Sequence, residues 1–477
     1  MSTDVSLFEE RRYKYLLDSM RPTPRFGLIA GALAVGIIFG ASGYIYQLIV
    51  GLSATNLNYR QFWGMYIVNF VFFIGIAEAA AVISAILRVT GAGWRAPIVR
   101  IAESITLFSL IVGASMILID MGRVDRILNI LLYFNLTSPI LWDFLSVTTY
   151  LFGSTLFLLI PMIPDNGLLR DYYREQLDSM GVNAPRLLKF RYHLHRILAF
   201  NWKGTETQIA RLDKSIKIMS LCIIPIGVSV HTVVSFIFSM HWRPGWHSSI
   251  FGPYFVIGAI YSGMGVLVAA VIIFRKIYHL EEFITTKQIS NLGLLTLSFT
   301  ILYLYFTVSE YLTSSYTAFE GEAGLVQQIF YGQYAWGFWF FLIPGLIIPG
   351  ILYAYKGTRQ SPFWAATAGL LVTAGMWVKR FIIVVPTVSA PVYNAVGVIT
   401  DQWLVYNPSW IELGITLAGT CGFLLMFYLF TKVFPIVAIY EMHEYEEDMS
   451  HSEREGTKHY ISEKGYDGSN QVPTHGD

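Results

Sequence analysis

The sequence predicts an all-α integral membrane protein with about ten transmembrane helices and both termini in the cytoplasm. Three observations carry this. Of 477 residues 54% are hydrophobic and only 14% charged, where a water-soluble domain carries about 25% charged residues and so can cover its surface. The apolar residues gather in ten runs of roughly 20 or more, the length that crosses a hydrocarbon core as a helix. Lys and Arg outside the runs and toward their ends are divided unequally, 27 on the side of the termini against 6 on the other, which is the asymmetry that puts the richer side in the cytoplasm.

In order, the expected spans are 26 to 50, 62 to 88, 98 to 120, 138 to 163, 215 to 240, 251 to 275, 288 to 314, 329 to 355, 361 to 383 and 408 to 438. Residues 1–25 form a charged cytoplasmic segment with Arg11, Arg12, Lys14, Arg21 and Arg25, and read as the flank of a signal anchor. The membrane domain covers 26–440, with one long cytoplasmic connection, 164–216. In that connection Arg186, Lys189, Arg191, His193, His195 and Arg196 alternate with Leu and Phe at helical spacing, as in a basic helix lying on the membrane surface or a docking site for a partner. Residues 441–477 are polar, poor in aliphatic side chains and expected to be disordered.

Composition excludes several classes of function. A net charge of +1 offers no basic surface for nucleic acid. The two cysteines, Cys222 and Cys421, lie in apolar stretches and supply neither an iron–sulfur cluster nor a zinc site. A bis-histidine haem needs two imidazoles at matching depth, and His231 alone lies well inside a span, so no haem is expected in this chain.

Ionisable groups inside spans are costly and mark function by default. They are Glu78 in span two, Glu103 and Asp120 in span three, Asp143 in span four, His231 in span five, Glu310 in span seven, and Lys379 with Arg380 in span nine. Asp120, Asp143 and His231 are expected to converge in the outer half, with Arg123 holding the carboxylates and Trp63 and Tyr66 close by. Glu78, Glu103, Glu310, Lys379 and Arg380 form a sparse ladder for protons. Most have a structural alternative: Asp120 as a helix cap or a partner of Arg123 or Arg126, Asp143 as a backbone plug, His231 as a satisfied core imidazole, Glu78 as a helix-to-helix hydrogen-bond donor when protonated, Glu103 as a partner of Arg100, Lys379 and Arg380 as snorkelling anchors, and Trp63 and Tyr66 as ordinary packing.

A quinone fits such a set. Its flat ring and two oxygens call for a donor or proton acceptor, aromatic and aliphatic walls and an opening to lipid, and oxidation of a quinol releases two protons with two electrons. Two other classes stay open: a secondary transporter, which also buries acids, and a purely structural membrane anchor.

The segments WGMYIVNFVFFIG (63–75), RIAESITLFSLIVGASMILIDMGRVDRI (100–127), SPILWDFLSVTTYL (138–151), SVHTVVSFIF (229–238), PGWHSSIFGPYFVIGAIYSGMG (244–265), GQYAWGFWF (332–340) and MWVKRFIIVVPT (376–387) together resemble the polysulfide-reductase (NrfD) membrane-subunit family. Within it the chain resembles most the large ten-span subunits of alternative complex III. The resemblance implies two four-helix bundles flanked by further helices and no redox metal in this chain. It implies a quinone site near the periplasmic face, with Asp120, Asp143 and His231 at the quinone-proximal positions and Glu310 as the buried acid of span seven. It also implies an iron–sulfur cluster subunit on that face, further redox subunits of molybdopterin or cytochrome c type, and residence in a prokaryotic cytoplasmic membrane. The departure is Asp120, which stands where the pattern of alternative complex III has a histidine.

Overall fold

The computed structural model describes residues 11–181, 184–241, 243–317, 319–394, 397–400 and 402–446. Along the chain run α1 (Arg11–Ser19), α2 (Pro24–Val50), α3 (Met65–Val89), α4 (Val99–Asp120), α5 (Asn129–Leu132), α6 (Pro139–Leu159), α7 (Ile163–Met180), α8 (Arg186–Leu198), α9 (Glu206–Ser239), α10 (Phe251–Ile277), α11 (Thr286–Thr317), α12 (Glu320–Phe330), α13 (Ala335–Leu342), α14 (Ile348–Ala354), α15 (Lys356–Gln360), α16 (Pro362–Ser389) and α17 (Trp410–Val433). A short antiparallel hairpin, β1 (Val392–Asn394) and β2 (Gly397–Thr400), precedes α17. Among the described residues ten helices, with α13 and α14 counted as one span, are long and apolar enough to cross a membrane.

The spans fall where the apolar runs predict, and the boundaries differ for readable reasons. Pro at the first turn starts α2, α6 and α16, where the missing N–H costs no helical bond. Ser409 and Glu412 form a reciprocal capping box that opens α17. That helix ends at Val433 instead of reaching 438, because Pro435 disfavours helical backbone just before it. The eighth span is interrupted by a π-turn at Ile343–Ile347, where Pro344 lacks a donor and Gly345 lies against Gly375 of α16.

Helices α3, α4, α6 and α9 pack as one four-helix bundle, and α10, α11, α13–α14 and α16 as a second. The bundles meet where α3 and α9 lie on α10 and where α3 lies on α16, so α3 is 94% buried over its apolar window. Helix α2 is its opposite, 11% buried, and packs chiefly on α17, which in turn touches α3 and α4. Lipid gives no hydrophobic reward for helix contact, so close backbone approach has to supply the attraction. Gly263 of α10 is such a place: a Cβ there would overlap Ala79 of α3 and stand 2.8 Å from the Ile76 carbonyl oxygen.

The long connection folds as two packed helices, α7 and α8. On the same end, Lys432 donates to the Ser19 carbonyl (2.7 Å), and Arg191 donates to the carbonyls of Met20 (3.0 Å) and Lys432 (3.1 Å). The described N- and C-terminal segments therefore share one end, called here the terminal end. Residues 441–446, expected to be disordered, are helical and packed; the rest of the expected disordered tail, 447–477, lies outside the described residues, as do residues 1–10.

Candidate functional site

At mid-height of the first bundle Glu78 of α3 pairs with His231 of α9, both fully buried. Arg380 of α16 reaches the same place from the second bundle, near enough to act on Glu78 electrostatically. It lies over the Phe255 ring at 5.1 Å and donates to Ser262 (3.4 Å), while its Nε and Nη1 have no hydrogen-bond partner among the described residues. Tyr150 of α6 donates to the carbonyl of Ala77, the residue before Glu78 (2.8 Å). Ionisable groups survive out of water only when they compensate one another or share water. The polar core thus joins the two bundles through three ionisable side chains.

Neighbouring Lys379 points into the second bundle. It donates to the Tyr311 hydroxyl (2.9 Å) and lies 5.3 Å from the Tyr254 ring and 5.2 Å from Phe341. Beside it Glu310 accepts from Ser248, at a cavity of about 40 Å³ that Glu322 and Thr387 also line. The snorkelling reading of Lys379 and Arg380 is corrected: they are 2% and 0% exposed, enclosed by neighbouring helices in the second half of α16.

Asp120 and Asp143 stand at the end away from the termini, called here the far end. Asp120 closes α4, and one carboxylate oxygen is buried without a hydrogen-bond partner among the described residues. Its surroundings are Tyr66 and Glu412, both close enough to interact with it electrostatically. Tyr66 donates to Gln47 (2.6 Å), which donates to the carbonyl of Ile119 (3.1 Å), so α2, α3 and α4 are tied together beside Asp120. Asp143 lies in the first turns of α6, buried, with Oδ1 likewise unpartnered. Two orphaned carboxylate oxygens at one end of one bundle are the atoms that a ligand with hydroxyl protons would satisfy.

The expected convergence of three residues divides. His231 belongs to the Glu78 pair, eight residues below the end of α9, while Asp120 and Asp143 sit at the helix ends. Arg123 holds neither carboxylate: it is exposed and makes a two-pronged contact with exposed Asp125 (3.0 and 2.9 Å), its near neighbour along the chain. Glu103 does not pair with Arg100. Arg88 reaches Glu103 at 2.8 Å, and Arg100 pairs with Asp165 at 2.5 Å. Trp63 packs among Phe238, His241 and Trp246, with ring centres 4.7 to 5.8 Å away.

Several partners were not anticipated. Glu412 is fully buried and receives Tyr406, the Asn56 amide and both donors of Ser409; the Ser-x-x-Glu spacing announces it. Asn69 of α3 donates to Thr416 (2.7 Å) and accepts from Trp377 (3.0 Å), a three-helix contact without a local sequence mark.

Two packed four-helix bundles, an added helix pair and ionisable side chains buried between the spans define a polytopic membrane protein. The chain belongs to the family described as "Polysulphide reductase, NrfD", whose profile matches residues 53–391. It is 24% identical over 407 residues to a putative dimethyl sulfoxide reductase membrane subunit of Halobacterium salinarum, covering 81% of this chain and 86% of that one. It is also 24% identical to a selenate reductase subunit of Mesobacillus selenatarsenatis (86% and 93% covered). To the Hdr-like menaquinol oxidoreductase integral membrane subunit of Archaeoglobus fulgidus it is 23% identical (75% and 78% covered).

Proposed function

We propose that this chain is the membrane subunit of a multi-subunit quinol oxidoreductase. It binds quinone or quinol at the far end beside Asp120 and Asp143 and exchanges electrons with an iron–sulfur subunit seated over that end. The positive-inside asymmetry supports a cytoplasmic terminal end, which makes the far end periplasmic. The observation that carries the reading is the pair of buried, unpartnered carboxylate oxygens at one end of the first bundle, in a chain whose relatives include a menaquinol oxidoreductase subunit.

Oxidising a quinol removes two electrons and two protons. Asp143 accepts a hydroxyl proton as general base, and Asp120, set by the Tyr66–Gln47 chain, serves the other side of the ring. The electrons leave to the partner's clusters. Glu103, the Glu78–His231 pair, Arg380, Lys379 and Glu310 provide a proton route between the ends, with the inner half in the first bundle and the outer half in the second.

The test is Asp143→Asn in the assembled complex. Loss of a general base predicts quinol-dependent electron transfer falling about 10²-fold, with the complex still assembled. Turnover equal to the parent's removes Asp143 from the chemistry and overturns the site.

A further inference from the structure

The chain leaves α17 at Val433 and turns back under the first bundle, where one buried ion pair grips its backbone from both sides. Asp165, at the start of α7, accepts the amides of Ile439 (3.0 Å) and Tyr440 (2.9 Å). Its partner Arg100 donates to the carbonyls of Pro435 (3.3 Å) and Val437 (3.2 Å). Arg100 and Asp165 are each 2% exposed. An ion pair spent on main-chain groups of a distant segment fixes that segment's position, because releasing it would leave two buried charges with unmet hydrogen bonds.

The grip delivers Glu441. One carboxylate oxygen meets Arg88 of α3 at 2.8 Å and the other meets Arg95 at 2.7 Å. The same nitrogen of Arg88 also holds Glu103 of α4 at 2.8 Å, and Ser84 donates to Glu103 (3.2 Å). One guanidinium is thus divided between two carboxylates. Burial by itself pushes Glu441 up, but Arg88 and Arg95 beside it, with Arg100 further off, hold it below the usual carboxylate range. A cavity of about 400 Å³ opens beside this group, lined by Arg88, Arg95, Asp213, Lys217, Glu441 and Glu444.

We propose that the C-terminal segment 434–446 is part of the proton-loading end, with Glu441 as a positioning residue that takes a share of Arg88 and so leaves Glu103 able to exchange protons with the cavity. A carboxylate with an arginine to itself stays ionised and ends a proton route; one that shares its arginine can take up a proton and release it toward Glu78. Two arginines face two carboxylates here, so removing Glu441 leaves an excess positive charge and puts Arg88 on Glu103 alone. The groups facing Glu103 are Arg88 and Ser84 from α3, Arg100 from its own helix and Glu441 from the segment, with Arg95, Asp213, Lys217 and Glu444 around the cavity.

The inference rests on the proton route proposed above, and the test separates the two. The assembled complex is reconstituted in vesicles, and electron transfer and protons moved per electron are followed from pH 5 to 9. Glu441→Gln is expected to keep uncoupled electron transfer within about twofold, to lower the proton-to-electron ratio severalfold and to move the alkaline limb of coupled turnover to lower pH. Arg95→Gln is expected to move that limb the other way, because Glu441 then draws harder on Arg88. A purely structural role would shift both variants alike, and that result overturns the inference. So does an unchanged ratio and pH profile in Glu441→Gln while Glu78→Gln lowers the ratio. If Glu78→Gln and Glu103→Gln both keep the parent ratio, the proton route itself fails. Should Glu441→Gln not assemble, Arg95→Gln decides alone: no upward movement of the limb overturns the inference.

Discussion

Glu78 and His231 are in direct contact with no exposure to solvent, and the guanidinium beside them, Arg380, comes from the other helical bundle. The arrangement joins the two halves of the molecule through polar side chains. Breaking one partner of a buried pair leaves the other uncompensated and costs about 3–5 kcal/mol. Glu78→Leu is therefore expected to lower the melting temperature in detergent sharply. Glu78→Leu with His231→Leu should recover much of the loss, since two apolar side chains leave only Arg380 to be hydrated. Equal melting temperatures for the parent and Glu78→Leu would show that the pair does not hold the bundles.

The contact between bundles also depends on Gly263, where any Cβ meets Ala79 and the Ile76 backbone. Backbone cannot yield as a flexible side chain does, and overpacking of this kind costs about 1–3 kcal/mol. Gly263→Val is expected to destabilise by at least that amount. Gly27→Val, on the lipid-facing part of α2 with nothing within 4 Å, should leave the melting temperature unchanged. Similar losses at the two sites, measured side by side, would refute the close-approach argument.

How much of this was legible in the sequence follows from what lipid demands. Hydrocarbon forbids irregular backbone and isolated charge, so ten apolar runs marked where the spans lie, and most of the ionisable groups inside them could be named in advance, with Glu412 of the tenth span missed. Pairing could not be read that way. His231 goes to Glu78 and not to Asp143, and Arg88 takes the place beside Glu103 that proximity along the chain assigned to Arg100, because partners are chosen across helices whose rotation no periodicity fixes. Arg123 misled for the same reason: three residues from Asp120, it turns out to Asp125 beyond the helix end. The stretch from 441 reads as disordered, and 434–438 as more of the last span, because the anchors of this segment, Arg100 and Asp165, lie hundreds of residues earlier.

His195, in the connection outside the spans, carries a pH dependence. It is fully buried, stacks on Tyr173 and donates from Nδ1 to Asn166 (2.7 Å), a direction set because the Asn166 amide already donates to the Met162 carbonyl. Burial, with Arg191 nearby, pushes its proton affinity down to about 4 from an ordinary 6.5. The unfolded chain binds the proton more readily between those values, so stability is full above pH 6.5 and falls as the pH drops through 6.5 toward 4, by about 3 kcal/mol at most. Melting temperatures at pH 7.5 and 5 should differ for the parent and differ less for His195→Phe. An undiminished difference in that variant would assign the acid sensitivity to other groups.

The far end is held by Glu412, and its loss is expected to exceed that of a simple helix cap. Ser409→Ala removes one capping hydroxyl, worth about 1 kcal/mol. Glu412→Ala removes the acceptor for Tyr406, for the Asn56 and Ser409 amides and for the Ser409 hydroxyl at once. Each buried donor left without a partner costs roughly 1–3 kcal/mol, so Glu412→Ala should destabilise by several times the Ser409→Ala effect. Because Tyr406 also receives the Met65 amide at the start of α3 (3.1 Å), the damage should spread to the first turn of that helix, read as faster hydrogen exchange around residues 64–68. Equal effects of the two substitutions, with exchange unchanged at Met65, would show that α17 is capped there and that nothing beyond its own first turn depends on the acid.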